Sequence, residues 1–136
     1  MLLQRIDHVG YAVEDLEAAI EHHQRLYGAT VTHREVVESD GVAEALLAVG
    51  ESYIQLLQPI SDSSPVAAFL TRNGPGVHHV AYGVADMDAA LEHLQAEGAR
   101  LIDEHGRPGS RGTTVAFLHP KGSLGVLVEL VHDPSA

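Results

Sequence analysis

The chain has 136 residues, 45% of them hydrophobic, with 8 Lys and Arg against 19 Asp and Glu, a formal net charge of −11 and no cysteine. Its length predicts one compact domain, and its negative charge disfavours nucleic acid and anionic membrane surfaces as partners. The lack of cysteine excludes disulfides and thiolate metal sites, which leaves His, Asp, Glu and Gln as candidate ligands. Neither a signal peptide nor a run of about 18 apolar residues is present, so we expect a cytoplasmic location and no membrane partner.

Turn and cap residues divide the first half of the chain into a βαβββ module at about residues 4–58. Alternating apolar residues predict a strand over residues 6–13, Asp15 suits the cap of a helix, and Gly28 ends that helix. Three further strands, separated by glycine-containing turns, are expected over residues 30–37, 42–49 and 53–57.

The second half repeats this order after a connecting helix at residues 64–73, which Ser64 and Pro65 begin. The second module, at about residues 76–132, is expected to consist of a strand over 77–84, a helix over 86–97 and strands over 99–103, 113–118 and 125–131. The two modules predict an α+β fold in a single domain spanning residues 1–136.

The module boundaries are supported by an internal repeat. Residues 6–24, shifted by 71 positions, match residues 77–95 at ten of nineteen places, and His8 falls on His79. Two copies are too few for an open solenoid, so the copies are expected to bury their faces against each other.

Strand alternation predicts which polar side chains share a face. Neighbouring side chains of a strand point to opposite faces, so His79 is expected on the face equivalent to that of His8, with His78 on the other. By the same alternation, Gln55 and Glu129 each lie between apolar neighbours in the last strand of their modules and join the histidines.

These four residues predict a divalent metal site. Two neutral imidazoles, one amide oxygen and one carboxylate leave the ion with a net charge of about +1 and, in octahedral geometry, two open positions for a substrate. The alternative is that the histidines are hydrogen-bonded core residues and that the Gln and Glu mark an exposed strand edge.

Several segments resemble the vicinal oxygen chelate superfamily and, within it, the methylmalonyl-CoA epimerase family, over nearly the whole chain. They are IDHVGYAV, YIQLLQP, GPGVHHVAYGV, FLHPKGSLG and GVLVELV. The resemblance implies a curved mixed sheet around a metal-binding cavity, and it places the metal ligands at His8, Gln55, His79 and Glu129. It further implies a divalent ion, Co2+ first and Mn2+, Ni2+ or Zn2+ as alternatives, an acyl-CoA substrate and a homodimer.

The family's catalytic base falls on Glu44. When VAEALL is aligned with VAFLHP of the second module, Glu44 stands opposite Phe117, so a carboxylate breaks the repeat there. The resemblance implies that Glu44 and Glu129 form a pair of bases that epimerise (2R)- and (2S)-methylmalonyl-CoA through an enolate. Without it, a single Glu beside a hairpin is more simply a solvated charge.

Cations in two loops are candidates for binding the substrate carboxylate or the coenzyme A phosphates. Arg111 lies in a glycine-rich loop, and His119 and Lys121 lie in the HPK segment. A plain solvated hairpin is the alternative for the loop.

Three other functions fit the pattern less well. A glyoxalase-like isomerase would carry a carboxylate at Gln55, and an extradiol dioxygenase needs only three ligands around iron. A metal-free binding protein of the bleomycin-resistance type would have no need of the full set of four.

Overall fold

The computed structural model describes all 136 residues and divides the chain into two compact units. One unit consists of His8–His78, and the other of Met1–Asp7 with His79–Ala136. None of the helices combines the length and the apolar character that a membrane span requires.

The unit His8–His78 contains most of the first module and the connecting helix. Its elements are β1 (Arg5–Ala12), which begins in the other unit, α1 (Leu16–Tyr27), β2 (Val31–Val37), β3 (Val42–Val49), β4 (Ser52–Pro59) and α2 (Pro65–Asn73). The strands are ordered β2-β3-β4-β1, with β1 parallel to β4 and the other neighbours antiparallel. Local signals fix the limits of α1, because the Asp15 carboxylate accepts from the Ala18 N–H and Gly28 ends the helix at φ 67°.

The two faces of this sheet bury different residues. On one face, α1 packs Leu16 and Ile20 against Ala45, Leu47 and Leu56. The alternate strand residues Ala12, Val42 and Leu57 form a second buried cluster with Val66 of α2. Because side chains alternate between the two faces, the polar residues described below lie on the face of this second cluster.

The second unit repeats the arrangement. Its elements are β5 (Gly76–Gly83), which begins in the first unit, α3 (Met87–Ala96), β6 (Arg107–Pro108), β7 (Thr114–Leu118) and β8 (Val128–His132). The strands are ordered β5-β8-β7-β6, with β5 parallel to β8. The α+β class and the tandem βαβββ order are therefore confirmed.

The predicted strand over residues 99–103 is wrong. Only Leu101 forms a bridge there, to Leu118, while the Ile102 and Asp103 N–H groups both donate to the Phe117 carbonyl. The Asp103 side chain accepts from the Phe117 N–H at 2.8 Å, so a carboxylate takes the place of a backbone partner. The edge strand beside β7, on the side away from β8, is instead the two-residue β6.

The last strand begins later than predicted. Residues 125–127 are not part of β8, which starts at Val128. The preceding chain turns through a short 3-10 helix, Pro120–Gly122, and Leu124 and Gly125 both have positive φ. A positive φ is incompatible with an extended strand.

Candidate metal centre

His8 and Gln55 lie on neighbouring parallel strands of one unit. Gly10 of β1 is the register partner of Gln55 in β4, and His8 lies two residues before Gly10. Side chains two apart on a strand share a face, so the imidazole and the amide lie on the same face of this sheet. Both are buried, with exposed fractions of 4% and 8%.

His79 and Glu129 repeat this geometry in the other unit. Ala81 of β5 is the register partner of Glu129 in β8, and His79 lies two residues before Ala81. His79 Nε2 lies 3.1 Å from Glu129 Oε1, and both side chains are buried. Each unit therefore offers one imidazole and one oxygen donor in the same two-residue register.

The Gln55 amide is oriented by a carboxylate. Its Nε2 donates to Glu44 Oε2 at 2.5 Å, while its Oε1 is buried and accepts no hydrogen bond. A buried carbonyl oxygen without a donor is costly unless something positive binds it. This oxygen, together with the buried imidazole and carboxylate donors, fits the ligand preferences of a divalent cation.

Glu44 is one of the most deeply buried side chains, 1% exposed. Its register partner in β4 is Leu57, and its register partner in β2 is Glu35. It shares a face with Val42 by strand alternation. A buried carboxylate beside a candidate ligand is not the solvated surface charge that the sequence alone allowed.

The expected alignment of Glu44 with Phe117 is wrong. Phe117 is paired with Glu129, as Leu46 is paired with Gln55, so Phe117 corresponds to Leu46. Two register positions further along, Glu44 faces Leu57 and Val115 faces Val131, so the counterpart of Glu44 is Val115. The repeat is still broken by a carboxylate, opposite a valine rather than a phenylalanine.

His78 is separate from this set of donors. It is only partly buried, and its ring packs edge-on against Phe69 of α2, with centroids 5.0 Å apart. Strand alternation directs it away from the face of its neighbour His79.

The loop cations have varied surroundings. Arg111, at φ 57°, donates to Asp7 at 3.2 Å and to Asp133 at 3.1 Å, and Asp7 also accepts from Arg5. The pKa of Asp133 lies below its ordinary value, chiefly because the Ser135 hydroxyl donates to it, with the positive charge of Arg111 adding to the effect. The guanidinium of Arg111 is thus engaged by two carboxylates of its own chain.

The HPK segment forms a turn. His119 Nδ1 accepts from the Lys121 N–H at 3.1 Å, and the Lys121 side chain is exposed. This hydrogen bond shapes the turn and leaves the ammonium group in solvent.

Two polar contacts were not predicted from the sequence. Gln58 Oε1 accepts from the Leu16 N–H at 2.7 Å and so satisfies a donor at the first turn of α1. His33 Nε2 lies 2.8 Å from Glu35 Oε1 on β2. The alternation of residues 31–37 could have placed His33 and Glu35 on one face, but only the pairing of β2 with β3 places Glu35 opposite Glu44.

Comparison with known proteins gives concordant matches. Residues 7–117 match the Glyoxalase/Bleomycin resistance protein/Dioxygenase superfamily. The ethylmalonyl-CoA/methylmalonyl-CoA epimerase of Cereibacter sphaeroides is 39% identical over 132 residues, which cover 95% of this chain and 98% of that protein. The mitochondrial methylmalonyl-CoA epimerase of Homo sapiens is 37% identical over 94% of this chain and 73% of its own length.

A solved structure of methylmalonyl-CoA epimerase in complex with methylmalonyl-CoA and NH4+ matches with a TM-score of 0.95 and 45% identity. The match covers 98% of this chain and 96% of that one. The chain therefore belongs to the glyoxalase/bleomycin resistance protein/dioxygenase superfamily and, within it, to the methylmalonyl-CoA epimerase family.

Proposed function

We propose that this chain is a metal-dependent enzyme that interconverts (2R)- and (2S)-methylmalonyl-CoA by removing the C2 proton on one face and returning a proton on the other. The observation that carries the proposal is the strand register that both units repeat. In each unit, a buried oxygen donor lies on the strand next to the strand that carries the histidine. The buried carboxylate of Glu44 has no counterpart in the other unit, and it supplies a base that the repeat does not provide. The epimerases of Cereibacter sphaeroides and Homo sapiens support the substrate class.

His8, Gln55, His79 and Glu129 are the residues that would hold a divalent ion, and the two units would then act as one domain spanning residues 1–136. Co2+ is the proposed ion, with Mn2+, Ni2+ or Zn2+ as alternatives; nitrogen and oxygen donors accept all four. A cation there supplies positive charge near the thioester oxygen, where negative charge develops as the C2 proton leaves.

Two carboxylates carry the proton transfers. Glu44, which is not among the proposed ligands, takes the proton from one face of C2, and Glu129 serves the other. The substrate passes through an enolate between the two transfers. Because Glu44 is buried, it is shielded from competing water, and the Gln55 amide that donates to it fixes its orientation.

Coenzyme A binding is proposed to involve the loop cations. Lys121 and His119 are the better candidates for phosphate or carboxylate contacts, because Arg111 already binds Asp7 and Asp133. The family resemblance supports a homodimer, and a cytoplasmic location is part of the proposal.

The decisive experiment measures conversion of (2R)-methylmalonyl-CoA by protein that has been stripped of metal and then reconstituted with Co2+. We expect epimerisation with Co2+ and none after exhaustive chelation, with about one ion bound per chain by elemental analysis. Parallel reactions with ethylmalonyl-CoA and with a glutathione hemithioacetal separate acyl specificity and glyoxalase chemistry. Absence of epimerisation by metal-loaded protein would refute the proposal.

A further inference from the structure

A buried base needs a way to exchange its proton with solvent. In a two-base epimerase, each turnover leaves one carboxylate protonated and the other ionised, the reverse of the state in which the turnover began. The side chain of Glu44 is 1% exposed, so direct exchange with bulk water is impeded. We propose that Glu35 and His33 form a proton relay between Glu44 and solvent; this inference rests on the epimerase function proposed above.

The pairing of β2 with β3 places the relay. Glu35 is the register partner of Glu44, and the side chains of directly opposed residues in an antiparallel pair lie on one face, with Cβ atoms about 4.5–5.5 Å apart. Two carboxyl groups on such neighbouring positions can approach within hydrogen-bond distance, directly or through one water.

His33 continues the path along the same strand. It lies two residues before Glu35, on the same face, and its Nε2 is 2.8 Å from Glu35 Oε1. The side chains of His33 and Glu35 are 33% and 34% exposed, against the near-complete burial of Glu44. Solvent exposure therefore rises from the proposed base to these two residues of β2 within one sheet.

The other face of β2 has a different role. Arg34, between the two relay residues, binds Glu17 of α1. This ion pair ties the strand to the helix and leaves the opposite face to His33 and Glu35, so the two functions of the strand are separated by its alternation.

The transfer balances at every step. The protonated Glu44 gives its proton to the Glu35 carboxylate, which passes a proton to Nε2 of neutral His33. The imidazolium then releases its Nδ1 proton to water, and exchange with water restores the original tautomer. No electron transfer or co-reactant is required, and the reverse sequence delivers a proton to Glu44.

The relay predicts a specific kinetic signature. At low substrate concentration the free enzyme has time to regain its starting protonation state, so kcat/KM does not depend on the rate of exchange. At saturation each turnover must wait for that exchange. Blocking the relay should therefore lower kcat and leave kcat/KM unchanged.

The experiment compares Glu35→Gln with wild-type enzyme loaded with metal, and uses Glu17→Gln as a matched control. Glu35→Gln keeps the shape of the side chain but cannot carry the proton, so we expect kcat to fall at least about tenfold with kcat/KM unchanged. Glu17→Gln, on the helix side, should change neither parameter. His33→Gln keeps a hydrogen-bonding side chain at a half-exposed position. It should also lower kcat without changing kcat/KM, but by a smaller factor. This second variant tests the relay if Glu35→Gln does not fold.

Equal losses of kcat and kcat/KM in Glu35→Gln would show that Glu35 shapes or polarises the site and would overturn the relay. Unchanged kcat in Glu35→Gln would overturn it as well. A wild-type enzyme without epimerase activity would instead refute the proposed function, so the two failures are distinguishable.

Discussion

Replacing Glu44 with Gln removes the proposed base while keeping its volume. The side chain is buried and in contact with Gln55, and the new amide oxygen can still accept from Gln55 Nε2. Loss of a positioned general base typically costs about 10²- to 10⁴-fold in rate, or about 2.7–5.5 kcal/mol of transition-state stabilisation. The variant exchanges a buried carboxylate for a neutral amide, so the free energy of unfolding should not decrease by a comparable amount.

The assay combines turnover, metal content and isotope incorporation. In deuterated water, wild-type enzyme with a separate base on each face should place deuterium at C2 of the product while substrate recovered early stays protiated. Glu44→Gln should bind metal normally, because the proposed ligands are intact, and epimerise at least about 100-fold more slowly. Glu129→Gln should lose both metal affinity and turnover, and excess metal should not fully restore it.

One result would refute this reasoning. If Glu44→Gln retained near wild-type turnover at normal metal content, Glu44 would be a structural carboxylate and the second base would have to lie elsewhere. Frequent return of the original proton to the product would point to a single shared base.

Two further predictions concern residues next to the proposed ligands. His79→Ala should abolish metal binding and activity, whereas His78→Ala, which removes a ring packed on Phe69, should lower only thermal stability; the reverse result would show that the strand register is wrong. Asp7→Asn should lower the free energy of unfolding by about 2 kcal/mol, because a buried carboxylate loses charge-assisted hydrogen bonds from Arg5 and Arg111, and an unchanged urea midpoint would contradict this.

Sequence signals predicted the elements whose ends are set locally. Helix α1 begins after Asp15 and stops at Gly28 as expected, because a cap side chain and a left-handed glycine act within one turn. The segment 99–103 has the composition of a strand, yet the Asp103 side chain competes for the Phe117 N–H. Such competition depends on a residue 14 positions away and leaves no trace in local alternation.

The candidate site could likewise be predicted from the sequence only in part. His8 and His79 could be paired from the repeat, and strand parity selected Gln55 and Glu129 with them. The contact of Gln55 with Glu44 could not be derived, because it depends on the register of a hairpin whose turns allow several pairings.

The alignment error at Glu44 has a physical origin. The shift of 71 residues holds from His8 and His79 through Leu46 and Phe117, but Gln55 and Glu129 differ by 74 positions, so the second hairpin is three residues longer. The short 3-10 helix Pro120–Gly122 lies within this longer connection.

The difference between Glu44 and Val115 is the asymmetry that the proposed reaction requires, because a repeated fold acts here on a chiral substrate. In the proposed function, equivalent donors would bind one ion, since an ion does not distinguish the copies. Two faces of C2 cannot be served by equivalent groups if one carboxylate, Glu129, must also be a ligand. A duplicated Glu at Val115 would add a second buried negative charge to the unit that already contains the His79 and Glu129 pair, with the desolvation cost that such a charge carries. The valine keeps that charge out, so the asymmetry follows from the double role proposed for Glu129.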